Sequence, residues 1–184
     1  MSFPKNKRRI EACLFFAGAS DRPGMIPFAR LMKMLYLLDV GHVLQTGLPV
    51  TDLVYHALPD GPVPIILRID MMSPGSKLRH GLEISMGPDT SFDWLLADRD
   101  ADLEHFTPRE MRIMVSLAER FVDDAGKSIL CGMRLGELAP WAMTFDHGRG
   151  RGSPIPLAMA IPADDPHRAA LLEAAAEDAS RLSA

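Results

Sequence analysis

Lys33-Met34-Leu35-Tyr36-Leu37-Leu38-Asp39, Gly47-Leu48-Pro49-Val50-Thr51 and Tyr55-His56-Ala57-Leu58-Pro59-Asp60-Gly61-Pro62-Val63 follow one another within the stretch Met25 to Val63. The first run belongs to an amphipathic pattern in which Phe28, Leu31, Leu35 and Leu38 recur at i, i+3/i+4 spacing, with Met34 and Leu37 widening the stripe. This predicts a helix starting near Pro27, the most buried of the chain, closed by Gly47-Leu48-Pro49. Thr51 to Ala57 reads as a short strand and Pro59-Asp60-Gly61-Pro62 as the turn that ends it.

Outward from this stretch, Ile10, Leu14 and Ala17 place a first helix over about Lys7 to Ala17, and Ser20-Asp21-Arg22-Pro23-Gly24 breaks it. The run Ile65 to Met72 is too short to separate helix from strand by pattern alone, and Pro64, able to sit at a first helical position, favours helix; Ser73 to His80 is loop. Leu82-Glu83-Ile84-Ser85-Met86 alternates strictly, and with Asp93 to Ala97 it predicts a hairpin around Gly87-Pro88-Asp89. Thr107, Pro108 and Glu110 have the spacing of a capping box with proline at the first helical position, so a helix starts at Pro108 and ends by Gly126. Lys127 to Leu138 is read as a further short helix leading to Pro140-Trp141, His147 to Ser153 as a Gly/Arg-rich loop, and about 166–182 as a last helix. The expected architecture is a helix-dominated α+β single domain spanning 1–184. About six helices surround the Phe28-to-Leu38 helix, with a small antiparallel sheet from Thr51–Ala57, Leu82–Met86 and Asp93–Ala97. Leu31, Leu35, Leu38 and Trp141 are expected in the core.

The chain has 184 residues and a formal net charge of -4, which lacks the basic excess of a protein held on phosphates, so bulk nucleic-acid binding is not expected. Lys5, Lys7, Arg8 and Arg9 ahead of Cys13-Leu14-Phe15-Phe16 imitate a secretory leader, but Glu11 and the brevity of the apolar run argue for an ordinary first helix. No run reaches the roughly 18 apolar residues of a membrane span. Two cysteines, Cys13 and Cys131, read as buried thiols, which suits a reducing cytoplasm. The twelve methionines read mainly as core filling, with some offering an adaptable surface.

Candidate chemistry is sparse. Asp39 and His42, three apart on one helix, have the spacing of a carboxylate orienting an imidazole, and with His56 they form the one catalytic set worth weighing, for a small hydrolase. No nucleophile accompanies them, and a helix-end pair with His42 near the negative end of the dipole is the simpler reading. The histidines lack H-x-x-x-H or H-E-x-x-H spacing and the cysteines lack C-x-x-C, so neither a metal nor a cofactor is expected. Gly148-Arg149-Gly150-Arg151-Gly152 lacks the order of a phosphate-cradling loop and reads as a solvated linker. The four N-terminal basic residues read as solvating.

In their order these segments resemble the Panacea domain, or SocA-like antitoxin domain. Leu31 to Asp39 is similar to the family's K-L-L-Y-F-A-D helix, and Thr46-Gly47-Leu48-Pro49-Val50-Thr51 to its T-G-R-P-L-T turn. Ala57-Leu58-Pro59-Asp60-Gly61-Pro62-Val63 is similar to its A-(aromatic)-x-x-G-P-V segment. Phe106 to Glu110 resembles its capped late helix, Phe121 its usual aromatic, and Pro140-Trp141 its P-W ending. The resemblance covers about 10–161. Two departures stand out: Met133 to Leu138 replaces a Ser/Thr-His pair frequent before the tryptophan, and Pro64-Ile65-Ile66 follows G-P-V where a basic residue is usual. The resemblance implies a cytoplasmic antitoxin that binds a cognate toxin protein without catalysis. It also implies that Tyr36, Asp39, Gly61, Pro62 and Trp141 are the family-motif or partner-binding positions. A DNA-binding regulator of its own operon is the second reading, and the hydrolase using Asp39, His42 and His56 the third.

Overall fold

The helix Phe28–Thr46 (α2) is apolar on nearly every side, and its buried residues run almost without interruption from Phe28 to Val43. A helix of this kind has to be enclosed, and the rest of the chain encloses it. The computed structural model describes residues 5–73, 75–76, 81–86, 92–122 and 129–183. Among these, five further α-helices are present: Lys5–Gly18 (α1), Ile65–Met72 (α3), Pro108–Arg120 (α4), Leu135–Phe145 (α5) and Arg168–Ser183 (α6). α1, α4 and α6 all pack on α2. The fold is α+β and helix-dominated.

Both ends of α2 follow from local chemistry. Pro27 sits at the N-cap with extended backbone, one residue earlier than a first-turn proline, and Pro64 takes the same place ahead of α3. At the other end Gly47 is left-handed (φ 77°) and its N–H donates to the Val43 carbonyl, the geometry that glycine adopts without steric cost. A Cβ at Gly47 would lie 2.2 Å from the Leu171 carbonyl oxygen, because α6 rests directly on this cap.

The strands differ from the sequence expectation. Met25–Pro27 (β1), Leu82–Met86 (β4) and Phe92–Ala97 (β5) form an antiparallel sheet in the order β1-β5-β4, whereas His56–Leu58 (β2) and Gly61–Val63 (β3) form a separate ribbon. The hairpin of Leu82–Met86 with the following strand is as expected; its Gly87-Pro88-Asp89 connection lies outside the described residues. Thr51 to Tyr55 is not strand, because its backbone groups are taken by side chains. Asp39 accepts from the Val50 and Thr51 N–H groups, and Arg9 donates to the Thr51 and Asp52 carbonyls. Gly61 and Pro62 belong to a strand, with Gly61 opposite Leu58 and Pro62 opposite Ala57.

Four further expectations are corrected. α5 starts at Leu135 and contains Pro140 and Trp141, since Gly132 (φ 76°) holds the preceding segment in a turn and the Glu137 carboxylate accepts from the Arg134 N–H to start the helix; positions 127 and 128 lie outside the described residues. Cys131 is exposed in that turn, while Cys13 is buried, its thiol pushed up to about 12 by burial. The basic N-terminal residues are not mere solvating charges. Arg8 pairs with Glu110, Arg9 clasps the 51–52 carbonyls at 2.8 and 2.6 Å, and Lys7 reaches Asp102 at 3.4 Å. Glu110 is thereby fixed twice, because its other oxygen closes the expected capping box with Thr107. The Gly/Arg-rich loop also has structure: Gly152 and Ser153 exchange backbone bonds with Ala57, and the Ile155 N–H donates to Tyr55, so the chain returns along β2.

Candidate functional site

Asp39 is fully buried two turns before the end of α2, and every hydrogen bond its side chain makes is accepted. One oxygen takes the N–H groups of Val50 (2.7 Å) and Thr51 (2.8 Å); the other takes the Thr51 hydroxyl and the Tyr55 hydroxyl (2.8 Å). Burial pushes this carboxyl above the ordinary aspartate range, against the four donors that pull it down. Its role is to tie the returning 50–55 segment onto α2, which is why a Pro-Val-Thr turn follows a helix that carries aspartate at this position.

The network extends from there. Tyr55, its phenol driven well above the usual range by burial and then by the Asp39 charge, meets Tyr36 edge-on with ring centroids 5.3 Å apart. Tyr36, also buried, donates to the Glu137 carbonyl at 3.0 Å, and burial raises its phenol as well. Glu137 in turn takes Arg120 from α4 through both carboxylate oxygens, at 2.6 and 2.9 Å. Burial acts to raise the Glu137 carboxyl, but the bonds from Arg120 and the Arg134 N–H, with the two guanidinium charges, outweigh it and hold it below the usual range. α2, the 50–55 segment, α5 and α4 are thus joined by one line of polar and aromatic contacts.

The remaining motif residues close a second seam. Trp141, half-buried and stacked on Phe145 (5.2 Å, 10°), donates its indole N–H to the Leu58 carbonyl at 2.9 Å. Gly61, opposite Leu58, has φ 127°, and a Cβ there would lie 2.9 Å from Ile129 Cγ2. Only glycine meets both demands. Pro62 beside it is buried. Leu31, Leu35 and Leu38 are fully buried as expected, while Trp141 packs at the margin of the core. Lys33, with no exposed surface, donates to the Cys131 carbonyl at 2.7 Å and lies 4.9 Å from the Phe121 ring centroid, so the motif lysine orders the turn before α5.

Asp39, His42 and His56 are not brought together by these bonds. His42 turns Nδ1 to the Leu48 carbonyl at 2.7 Å, so that nitrogen carries the proton, and its Nε2 is 3.9 Å from Glu110. His56 sits on β2 beside the returning 152–155 segment. Among the described residues no cluster of His, Cys, Asp and Glu has the makings of a metal site, and no helix is long and apolar enough to cross a membrane. Thr51, Tyr55, Glu137 and Arg9 carry the framework without having been singled out from the sequence; the T-G-L-P-V-T turn and the Arg134-to-Glu137 spacing were the available signals.

A small α+β domain is defined here in which the motif residues converge on internal seams rather than on an open cleft. Residues 31–122, half of the chain, match the family described as antitoxin SocA-like, Panacea domain, and the chain belongs to that family. No curated protein and no solved structure matches the chain.

Proposed function

We propose that this protein is the antitoxin of a toxin–antitoxin pair, acting in the cytoplasm by stoichiometric binding of a cognate toxin protein rather than by catalysis. Membership of the SocA-like antitoxin family is the observation that carries this reading. The bonding of Asp39 is in keeping with it, since both carboxylate oxygens serve the fold and neither is left for a substrate. So is the surface: Leu135 is 88% exposed and Met143 64% exposed on α5, the kind of adaptable apolar surface that suits a partner. Tyr36, Asp39, Gly61 and Pro62 act by shaping the scaffold, and of the motif positions Trp141 has the surface to reach a partner directly. The unit that binds is about 10–161, with the C-terminal helix an addition that caps α2.

The test is co-expression with the product of the adjoining gene. Growth arrest caused by that product alone, relieved by this chain and accompanied by a one-to-one complex on purification, is the expected result. Absence of both relief and complex overturns the reading.

A further inference from the structure

An open groove of about 420 Å3 runs between α2, α4 and the first turn of α5. Its floor is aliphatic, from Leu37, Leu44, Ile113 and Leu117, and its rim carries arginines. Gly41 opens the floor: a Cβ there would already lie 3.3 Å from Ile113 Cγ2. On α4, Arg109, Arg112, Ser116 and Arg120 fall at spacings of three and four, which sets them along one face. Arg120 is committed to Glu137 and to the Gly132 carbonyl. Arg134, across the groove, lies close enough to Glu137 to lower its pKa. Arg109 and Arg112 are exposed and make no ion pair or hydrogen bond among the described residues. Glu119 lines the neighbouring depression, which Arg112 also borders. The result is a local excess of positive charge on a chain of net charge -4. Like charges gathered on a helix face cost stability unless an anion offsets them.

The lining selects the kind of anion. The long walls of the groove are the sides of α2 and α4, whose N–H groups are spent on their own ladders, and the first turns of α4 and α5 already carry the carboxylates of Glu110 and Glu137, so no free nest of donors awaits a phosphate. Among the described residues that line it there is no aromatic ring on which a base stacks. Aliphatic floor and arginine rim together match a segment that presents aliphatic side chains on one face and carboxylates at its edges. Leu135, next in sequence to Arg134, extends the apolar landing. We propose that this groove seats an acidic, amphipathic segment of the protein partner, with Arg109 and Arg112 as its charge-reading residues; this rests on the partner-binding function proposed above.

The full chain and the adjoining gene's product are compared by calorimetry at 50 and 300 mM salt. The variants are Arg109→Glu with Arg112→Glu, the milder Arg109→Gln with Arg112→Gln, and Gly41→Leu, which fills the floor without changing charge. Arg149→Glu with Arg151→Glu reverses an equal charge on the exposed loop, and circular dichroism checks folding. The expected result is a Kd at least tenfold weaker for the groove reversal, a smaller salt dependence for both arginine pairs, weaker binding for Gly41→Leu, and less than twofold change for the loop reversal. A wild-type complex that the groove variants bind within twofold overturns the groove and leaves the antitoxin reading standing. Failure of the wild-type chain to bind overturns both. Retention of the DNA upstream of its own gene by the wild-type chain, lost in the groove reversal while partner affinity is kept, overturns the proposal in favour of nucleic acid.

Discussion

The Asp39 cluster and the arginine groove lie on opposite sides of the same helix and handle charge in opposite ways. Around Asp39 both carboxylate oxygens are matched by donors, and those donors all come from the 50–55 segment, whose carbonyls Arg9 and the Ile155 N–H hold in turn. In the groove, two exposed guanidiniums of α4 have no ion pair or hydrogen bond among the described residues. The first arrangement specifies one fold, because any other placement of the 50–55 segment strands buried polar groups. The second adds little to the fold and remains available to something outside it.

The sharpest way to break this contrast is at Asp39. Asp39→Ala leaves two backbone N–H groups and two hydroxyls buried and unpaired, and is expected to cost roughly 3–5 kcal/mol in urea denaturation; a loss near zero would erase the difference between the two regions. Gly61→Val forces a β-branched residue to φ 127° and presses on Ile129, with an expected loss of roughly 2–4 kcal/mol by the same measurement. Thr107→Ala removes the cap at the base of α4, on which the groove depends, and is expected to cost about 1 kcal/mol and lower the melting temperature. At the small end, replacing Arg109 and Arg112 by alanine is expected to change stability by less than about 0.5 kcal/mol, since neither residue holds the fold.

Acid titration distinguishes the two regions by sign. Glu137, at the groove, has its carboxyl held low in the folded state. Its contribution is present above the ordinary glutamate value of about 4.3 and is lost as pH falls through the lower folded value. Asp39 has its carboxyl raised. Its contribution is fully present below the ordinary aspartate value of about 3.9 and is lost as pH rises through the higher folded value. Glu137→Gln is therefore expected to flatten the acid-side fall of stability and Asp39→Asn to steepen it, read as midpoint urea concentration between pH 3 and 6.

Much of the fold was legible because its signals are local. α2 announces itself through an apolar face too wide for an exposed helix, α4 through Thr107-Pro108-Glu110, and the β4-β5 hairpin through strict alternation. The misread parts depend on distant partners. Nothing within Thr51 to Tyr55 tells that Asp39 and Arg9 will take its backbone groups, and three-residue β1 exists because β5 pairs with it. α5 was misplaced because Pro140 looked like an end, whereas the start of that helix is set by Glu137 reaching back to Arg134. The motif residues were found, but not the distant partners that set Tyr36 and Gly61 into buried seams, Glu137 for the one and Ile129 for the other. The groove went unseen because its arginines are spread over two helices and diluted by a net acidic composition.

The reach of those seams bears on how the chain is made. Tyr36 bonds to a residue 101 positions later and Lys33 to one 98 positions later. At a synthesis rate of about 5–20 residues per second, the most extensively buried helix among the described residues leaves the ribosome roughly 5–20 s before the α5 segment that closes over it. Early in that interval α2 has only α1, β1 and the 50–63 segment for shelter, until β5 and then α4 follow. Its nascent form is thus a natural client for chaperones, and a chain stopped anywhere before α5 is a ready substrate for proteolysis.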